Sequence, residues 1–517
     1  MMDGEAPDRP GGDAPFDAEL GELVEALLAR APVSGGVLAV SAAGRAYELP
    51  FGTRGPGGPA VGAVDRFEIG SISKTMTALA AARLEAEGVW DLEQPVRSAL
   101  PWLRLPQGAG EPSLRHLLSH TAGWIAGNSA SPGEIAQALG LPGTRAVAAP
   151  GEFFHYSNVG YVVLGLAMAA VAGRPFPELM RELVLEPLDL PGALASITGA
   201  ERASLCPGTV PLRDDAPWLP GDPVAAQTWL EPAGADGNVG ASAGELLAFA
   251  RALADPDAAV RADPAALSWL PDAVRRIAAP AAPAGETILQ LGRHLPVAEA
   301  RYGLGVNVER TALGTLLTHG GGMVGYGAFM IAHPERGIAV AAVLSAPGER
   351  PYAELLARSA HAALMPRVAR SDEASVRPGA ADPVAAVMPL RPPLRQTPRL
   401  PAGAGVGADS TVDIGVEEGV YAGLTGHYRS YTPWCPHYEV GVGPDEHGVE
   451  RLMLRAYAGV EAETEDTPLV PIPGAEGRRF RIGDDPRLPE RLEFRDAIDG
   501  RAQTLDIDGC LYARVVD

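Results

Sequence analysis

A chain of 517 residues, 46% hydrophobic and 21% charged, is long enough for roughly two to four domains with sizeable cores, and its composition excludes wholesale disorder. The formal net charge of −22 argues against a general nucleic-acid binder or a binder of anionic membranes. Three scattered cysteines, Cys206, Cys435 and Cys510, make neither a disulfide framework nor a zinc knuckle.

The predicted elements follow in chain order. Residues 1–16 open with an acidic, proline-rich stretch, MMDGEAPDRPGGDAP, which is expected to be disordered; a secretory leader would be basic and then apolar. Residues 19–30 space their apolar side chains as an amphipathic helix, and GVLAVSA followed by RAYELPF reads as a hairpin of strands. Over 73–87, Met76, Ala80 and Leu84 recur at helical spacing and Gly88 ends the run. The stretches 114–120, 159–172 and 176–186 also read as helices, and Ser242 is placed to cap a helix through Leu253. From 302 to 345 the pattern turns to strands, YGLGVNV, TLLTH, AFMIAH and GIAVAAVLS, with glycine-rich turns between them. Helices flanked by strands at both ends predict an α+β domain over 17–366, in which one antiparallel sheet unites the two ends.

Residues 367–416 carry Pro389, Pro392, Pro393, Pro398 and Pro401 and then AGAGVGADS, the composition of a linker. Residues 417–517 hold short alternating stretches (HYEVGVG, RLMLRAY, RRFRIGD, RLEFRDA, AQTLDID, CLYARVV), which predict a small all-β domain, a barrel or a sandwich. The longest apolar run, 159–173, is too short to span a bilayer comfortably. The expectation is a cytoplasmic protein with no membrane span and no nucleic-acid partner; oligomeric state leaves no mark in the sequence.

Of the 42 basic residues, only Lys74 is a lysine. In a chain that uses arginine everywhere else, this position needs what a guanidinium cannot do, which is to lose a proton near neutral pH. Ser71 stands three residues before it, so at a helix start the hydroxyl and the amine share a face. A neutral lysine can take the proton of a serine, and a helix N-terminus favours a developing oxyanion; the ordinary alternative is a serine N-cap with a surface lysine. A second element is Tyr156-Ser157-Asn158, just before the apolar helix. Its phenol can exchange protons near a cation, and its asparagine can hold a carbonyl. The ordinary alternative there is a helix start with a capping Asn. A third element is His319-Gly320-Gly321-Gly322, following TLLTH, where glycines would let a substrate lie against a strand with a free N–H. The ordinary alternative is a turn.

In this order and spacing the three elements resemble the serine β-lactamase and penicillin-recognising superfamily. Its class C-like branch of D-aminopeptidases, carboxylesterases and transacylases is the nearest match. The stretches FEIGSISKTMTALAAARL, LRHLLSHTAGW, PGEFFHYSNVGYVVLG, YGLGV and HGGGMVGYG carry the resemblance, over about residues 17–365. LTGHYRSYTPWCP and PERLEF resemble the lipocalin-like domain appended to some such hydrolases. The resemblance implies a β-lactamase-like fold followed by a β-barrel, no cofactor and no metal, and a small-molecule or short-peptide acyl substrate. It implies that Ser71 is acylated, that Lys74 activates it, and that Tyr156 is the general base and acid. Asn158 would hold Lys74 and the substrate amide, His319 would occupy the third-motif position, and Gly320 and Gly321 would lie beside the substrate. The N–H groups of Ser71 and Gly322 would form the oxyanion hole. The third motif departs from the usual pattern, with His319 in place of Lys and Gly320 in place of Thr. That favours an esterase, a D-amino-acid amidase or a transacylase over a β-lactamase or DD-peptidase.

Competing patterns are weaker. Gly240-Ala241-Ser242-Ala243-Gly244 fits the G-x-S-x-G elbow, but EPAGADGNV precedes it where a Val/Ile strand should lie. Gly320-x-Gly322-x-x-Gly325 fits a dinucleotide fingerprint, but a strand rather than a helix follows. His116 and His120 have metal-ligand spacing on a helix with no glutamate between them. A non-catalytic binding or sensor protein is the alternative of another class; intact Ser71, Lys74 and Tyr156 speak against it.

Overall fold

The computed structural model describes residues 14–515 apart from 126–132, 228–233, 290–294, 349, 369–383, 385–393, 395–420, 422, 433, 458–464, 475–476 and 487–489. The expected disorder of 1–16 and the expected linker over 367–416 therefore lie almost wholly outside the described residues. The first helix, α1 (Ala14–Arg30), begins earlier than its apolar spacing predicts.

One antiparallel sheet joins the two ends of the first domain, as predicted. The hairpin β1 (Gly35–Ala42) and β2 (Arg45–Gly52) comes from the start of the chain. Strands β3 (Val297–Tyr302), β4 (Asn307–Thr311), β5 (Gly314–Met323), β6 (Tyr326–His333) and β7 (Ile338–Ser345) come from its end. The order across the sheet is β2-β1-β7-β6-β5-β4-β3. Strand β7 is buried throughout, which explains why IAVAAVLS shows no polar alternation. Its Ala339, Ala341 and Val343 join one core, and Ile338, Val340, Ala342 and Leu344 join another on the opposite face.

That second core is roofed by α1 and by the helix Tyr352–Val368. The first core is built on α2 (Ser73–Ala86), which is buried on nearly all sides, and on α3 (Asn158–Ala172) and α4 (Ala243–Ala254). Small alanines and Met76, Leu79 and Leu84 let α2 run through the middle of the domain, and its buried Ser73, Lys74, Thr75 and Thr77 take hydrogen-bond partners there. The bent pair Asn158–Ala172 and Phe176–Leu185 is part of this core. Among the described residues no single helix is long and apolar enough to cross a membrane.

Two strand readings need correction. YGLGVNV is not one strand: the chain breaks between Tyr302 and Asn307. Gly305 there has φ +71°, and a Cβ on it would lie 2.5 Å from Lys74 O, so the turn is pressed onto α2. His319-Gly320-Gly321-Gly322 is not a turn after a strand but the second half of β5, with the turn at Val324 and Gly325.

The C-terminal region forms a closed eight-stranded antiparallel barrel, in which Gly426–Arg429 pairs with Cys510–Arg514 to complete the circuit. The sequence reading missed two of its strands, Gly426–Arg429 and Thr467–Pro471, which are short and broken by Gly or Pro. The barrel docks on the first domain through polar ties. Arg145 pairs with Asp508 at 2.5 Å, and Arg429 pairs with Asp214. His437 Nδ1–H donates to Asp214 O at 3.1 Å, and Trp434 enters the core of the first domain.

Candidate active site

Ser71 sits in a 3₁₀ turn, Gly70–Ile72, that runs directly into α2. Continuity of helical turn makes the i, i+3 spacing a contact: Lys74 Nζ donates to Ser71 Oγ at 2.8 Å. The first turn of α2 is clamped to residues 235–239. Thr77 Oγ1 donates to Ala235 O at 2.8 Å, and Ser73 Oγ accepts from Val239 N–H at 3.1 Å. The clamp brings Asp236 O onto Lys74, which donates to it at 2.6 Å. Burial pulls the Lys74 amine down to about 8, against the opposing pull of the Asp236 and Glu286 charges. The neutral amine next to the serine is thereby brought within reach of neutral pH.

Tyr156 and Asn158 approach from the start of α3. Ser157 Oγ caps that helix by accepting from Gly160 N–H at 3.0 Å, which leaves the amide of Asn158 free. Asn158 Oδ1 accepts from Lys74 Nζ at 2.8 Å. Tyr156 lines the same cavity as Ser71, which eases its phenol down against the stronger upward push of burial, and the Lys74 ammonium lies 4.9 Å from the centre of the Tyr156 ring. Burial holds the phenol well above its usual value, so it stands protonated while the amine is the group that gives up its proton. His120 stacks on Tyr156 with ring centres 4.1 Å apart, and its Nδ1 accepts from Ser157 N–H at 3.0 Å. His116 instead accepts from Ser113 N–H through Nδ1 at 3.0 Å. The two histidines thus serve a tyrosine and a helix start.

The third element splits. Gly320, Gly321 and Gly322 line the cavity with Ser71; His319 does not. Its imidazole is fully buried, with Nδ1–H donating to Gly320 O at 2.6 Å. Nε2 is therefore the acceptor of the Tyr302 hydroxyl at 2.7 Å. Burial drives the ring down to about 3, so it is neutral. The glycines have a reason the sequence did not disclose. A Cβ on Gly321 would lie 1.9 Å from Ile69 O, and one on Gly70 would lie 2.9 Å from Gly322 N. They allow the turn bearing Ser71 to rest backbone on backbone against β5. Beyond Thr318, β5 has left its neighbour β4 and pairs only with β6, so its free edge faces the cleft. This edge and the turn at Ser71 are where N–H groups for an oxyanion would lie.

Sequence reasoning missed the acids of the cavity wall, of which Glu286 and Asp236 act on Lys74. Glu286 accepts from Asn307 Nδ2 at 3.0 Å, stands 3.8 Å from His319 Nε2, and is pushed by burial up to about 8. The Asp236 carboxyl is likewise raised by burial. Both lie in irregular segments with no spacing to flag them. Ser242, the alternative nucleophile, caps α4: its Oγ accepts from Glu245 N–H and donates to Glu245 Oε2. The barrel was also unforeseen as part of this site. Trp434, Glu490 and Asp508 line the same cavity as Ser71, and Glu490 Oε1 stands 3.4 Å from His155 Nδ1.

A family model described as Beta-lactamase matches residues 20–365, and the chain belongs to that family. Over 132 residues it is 30% identical to Penicillin-binding protein 4* of Bacillus subtilis (strain 168), a stretch covering 23% of this chain and 28% of that one. Over 179 residues it is 28% identical to a beta-lactamase of Providencia stuartii, covering 33% of this chain and 45% of the relative. The matched stretches thus span less than half the length of these curated relatives. The octameric penicillin-binding protein homologue from Pyrococcus abyssi shares the fold across 97% of this chain and 99% of its own, with a TM-score of 0.58 at 19% identity.

Proposed function

We propose that this protein is a serine acyl hydrolase or acyltransferase that works through an acyl-enzyme on Ser71, with an ester or amide as donor. The carrying observation is that Ser71 Oγ accepts from the Lys74 amine at 2.8 Å inside a cavity that Tyr156 and Asn158 also line. Neutral Lys74 takes the Ser71 proton as the oxygen attacks the carbonyl. Tyr156 gives its proton to the leaving group and is reprotonated from Lys74. Water or an amine or alcohol then takes the acyl group by the reverse path. The N–H groups of Ser71 and Gly322 hold the oxyanion, and Asn158 keeps Lys74 in place.

Within this reading an esterase, D-amino-acid amidase or transacylase is favoured over a β-lactamase or DD-peptidase. The third motif offers no cation and no hydroxyl for a substrate carboxylate: His319 is neutral and turned into the protein, and Gly320 has no side chain. Intact-mass spectrometry with a slow ester, followed by peptide mapping, should place the adduct on Ser71, and Ser71→Ala should remove it with all turnover. Lys74→Arg should be as damaging as Lys74→Ala, about 10²–10⁴-fold in kcat/KM. An adduct on Ser242 would overturn the assignment. Turnover of a chromogenic cephalosporin orders of magnitude faster than short-chain esters or D-amino-acid amides would make it a β-lactamase.

A further inference from the structure

The cavity that opens at Ser71 has a volume of about 1110 Å³, at or above the top of the roughly 300–1,000 Å³ usual for small-ligand sites. A short acyl group leaves most of it empty. Its far wall comes from the barrel. Leu454 and Tyr512 line the cavity and at the same time belong to the barrel's apolar core, and Ile482 and Ile507 line it while packing on that core. The apolar interior at one end of the barrel is thus continuous with the space in front of the serine. It does not run on as an open calyx, because Phe480, Leu492, Phe494 and Leu505 fill the barrel's centre. The barrel end that opens on the cavity is apolar at Leu454, Ile482, Ile507 and Tyr512, with Asp485, Glu490 and Asp508 also in the wall.

Resting on the acyl-enzyme reading above, we propose that this end of the barrel is a binding subsite for the remote, apolar part of the acyl donor, a straight or aromatic chain too long for the first domain alone to cover. Each methylene drawn from water into such a site raises affinity by roughly fourfold. The barrel thereby selects the donor by chain length, while Ser71, Lys74 and Tyr156 remain indifferent to it.

The test uses the full chain and two probes, p-nitrophenyl acetate and p-nitrophenyl octanoate. Wild-type protein should favour octanoate in kcat/KM by at least ~30-fold. Cys510→Trp and Thr467→Trp each place bulk at a half-buried position lining the barrel end, and each should lower the octanoate-to-acetate ratio at least ~10-fold. A misfolded variant would lower both rates together, and the ratio separates that from a filled subsite; two positions guard against the loss of either. Wild-type turnover of both esters without an octanoate preference, or an unchanged ratio in both variants, overturns the subsite and leaves the acyl-enzyme reading standing. No turnover of either ester and no adduct on Ser71 overturns the acyl-enzyme reading itself.

Discussion

The side-chain oxygen of Asn158 accepts a hydrogen bond from Lys74 Nζ at 2.8 Å, so a neutral amide holds a buried amine whose proton leaves near pH 8. Asn158→Asp keeps the shape and adds a negative charge beside the ammonium, which favours the charged form. If neutral Lys74 is the active form, kcat/KM rises as pH rises through about 8 in the wild type. In the Asp variant that limb should move up by about one unit or more, cutting activity at pH 7 about tenfold. Parallel pH profiles of the two proteins check this; an unmoved limb would show that Lys74 is not the group being titrated.

Glu286 acts in the opposite sense. Its carboxyl, raised to about 8 by burial, is one of the charges that hold the Lys74 proton on once it ionises. The two groups are coupled, so the wild-type profile should show apparent values that belong to the pair. Glu286→Gln removes the negative charge and one titration together. The acid limb should steepen toward a single ionisation and shift to lower pH, with a larger share of full activity present at pH 7.

Gly321 and Gly320 are neighbours on β5 with opposite tolerance. A methyl at 320 would touch the Phe329 ring at 3.6 Å, an ordinary contact, whereas at 321 it would run into Ile69 O. Gly320→Ala should fold with stability within ~1 kcal/mol of wild type. Gly321→Ala should cost about 1–3 kcal/mol by overpacking and should depress kcat, because the turn it displaces carries Ser71. Denaturant melts beside ester kinetics separate the two effects.

Behind the sheet, Arg358 is 4% exposed and makes two hydrogen bonds to Glu309, at 2.8 and 2.9 Å, and one to Glu354 at 2.7 Å. Arg358→Met should strand two buried carboxylates and lower stability by roughly 3–5 kcal/mol. The loss should be largest at neutral pH and smaller in mild acid, where Glu354, whose carboxyl burial already raises, can protonate; unfolding curves at pH 5 and pH 7 read the difference.

What the sequence made legible was local. Ser71 and Lys74 lie within one helical turn, and Tyr156-Ser157-Asn158 is a single helix start, so spacing alone brings their atoms close. The sheet was legible because β1 and β7 bury continuous apolar runs. What escaped was set by tertiary packing. Whether His319 faces substrate or protein depends on Tyr302 and on the peptide oxygen of Gly320. Glu286 and Asp236 reach the cleft from irregular segments, and the barrel wall arrives from residues more than 250 positions beyond Tyr156, a distance no periodicity reports.

One of the three acceptors around Lys74 is the main-chain oxygen of Asp236, not a side chain. Every residue type carries that oxygen, so no substitution at 236 deletes it. A scan of alanine variants through this cleft would count two ligands for the amine and credit position 236 only with its charge. The grip on the proton-transfer group is therefore partly invisible to genetics, and it can be lost only by moving the backbone itself, through the contacts of Thr77 and Ser73 that hold it in place.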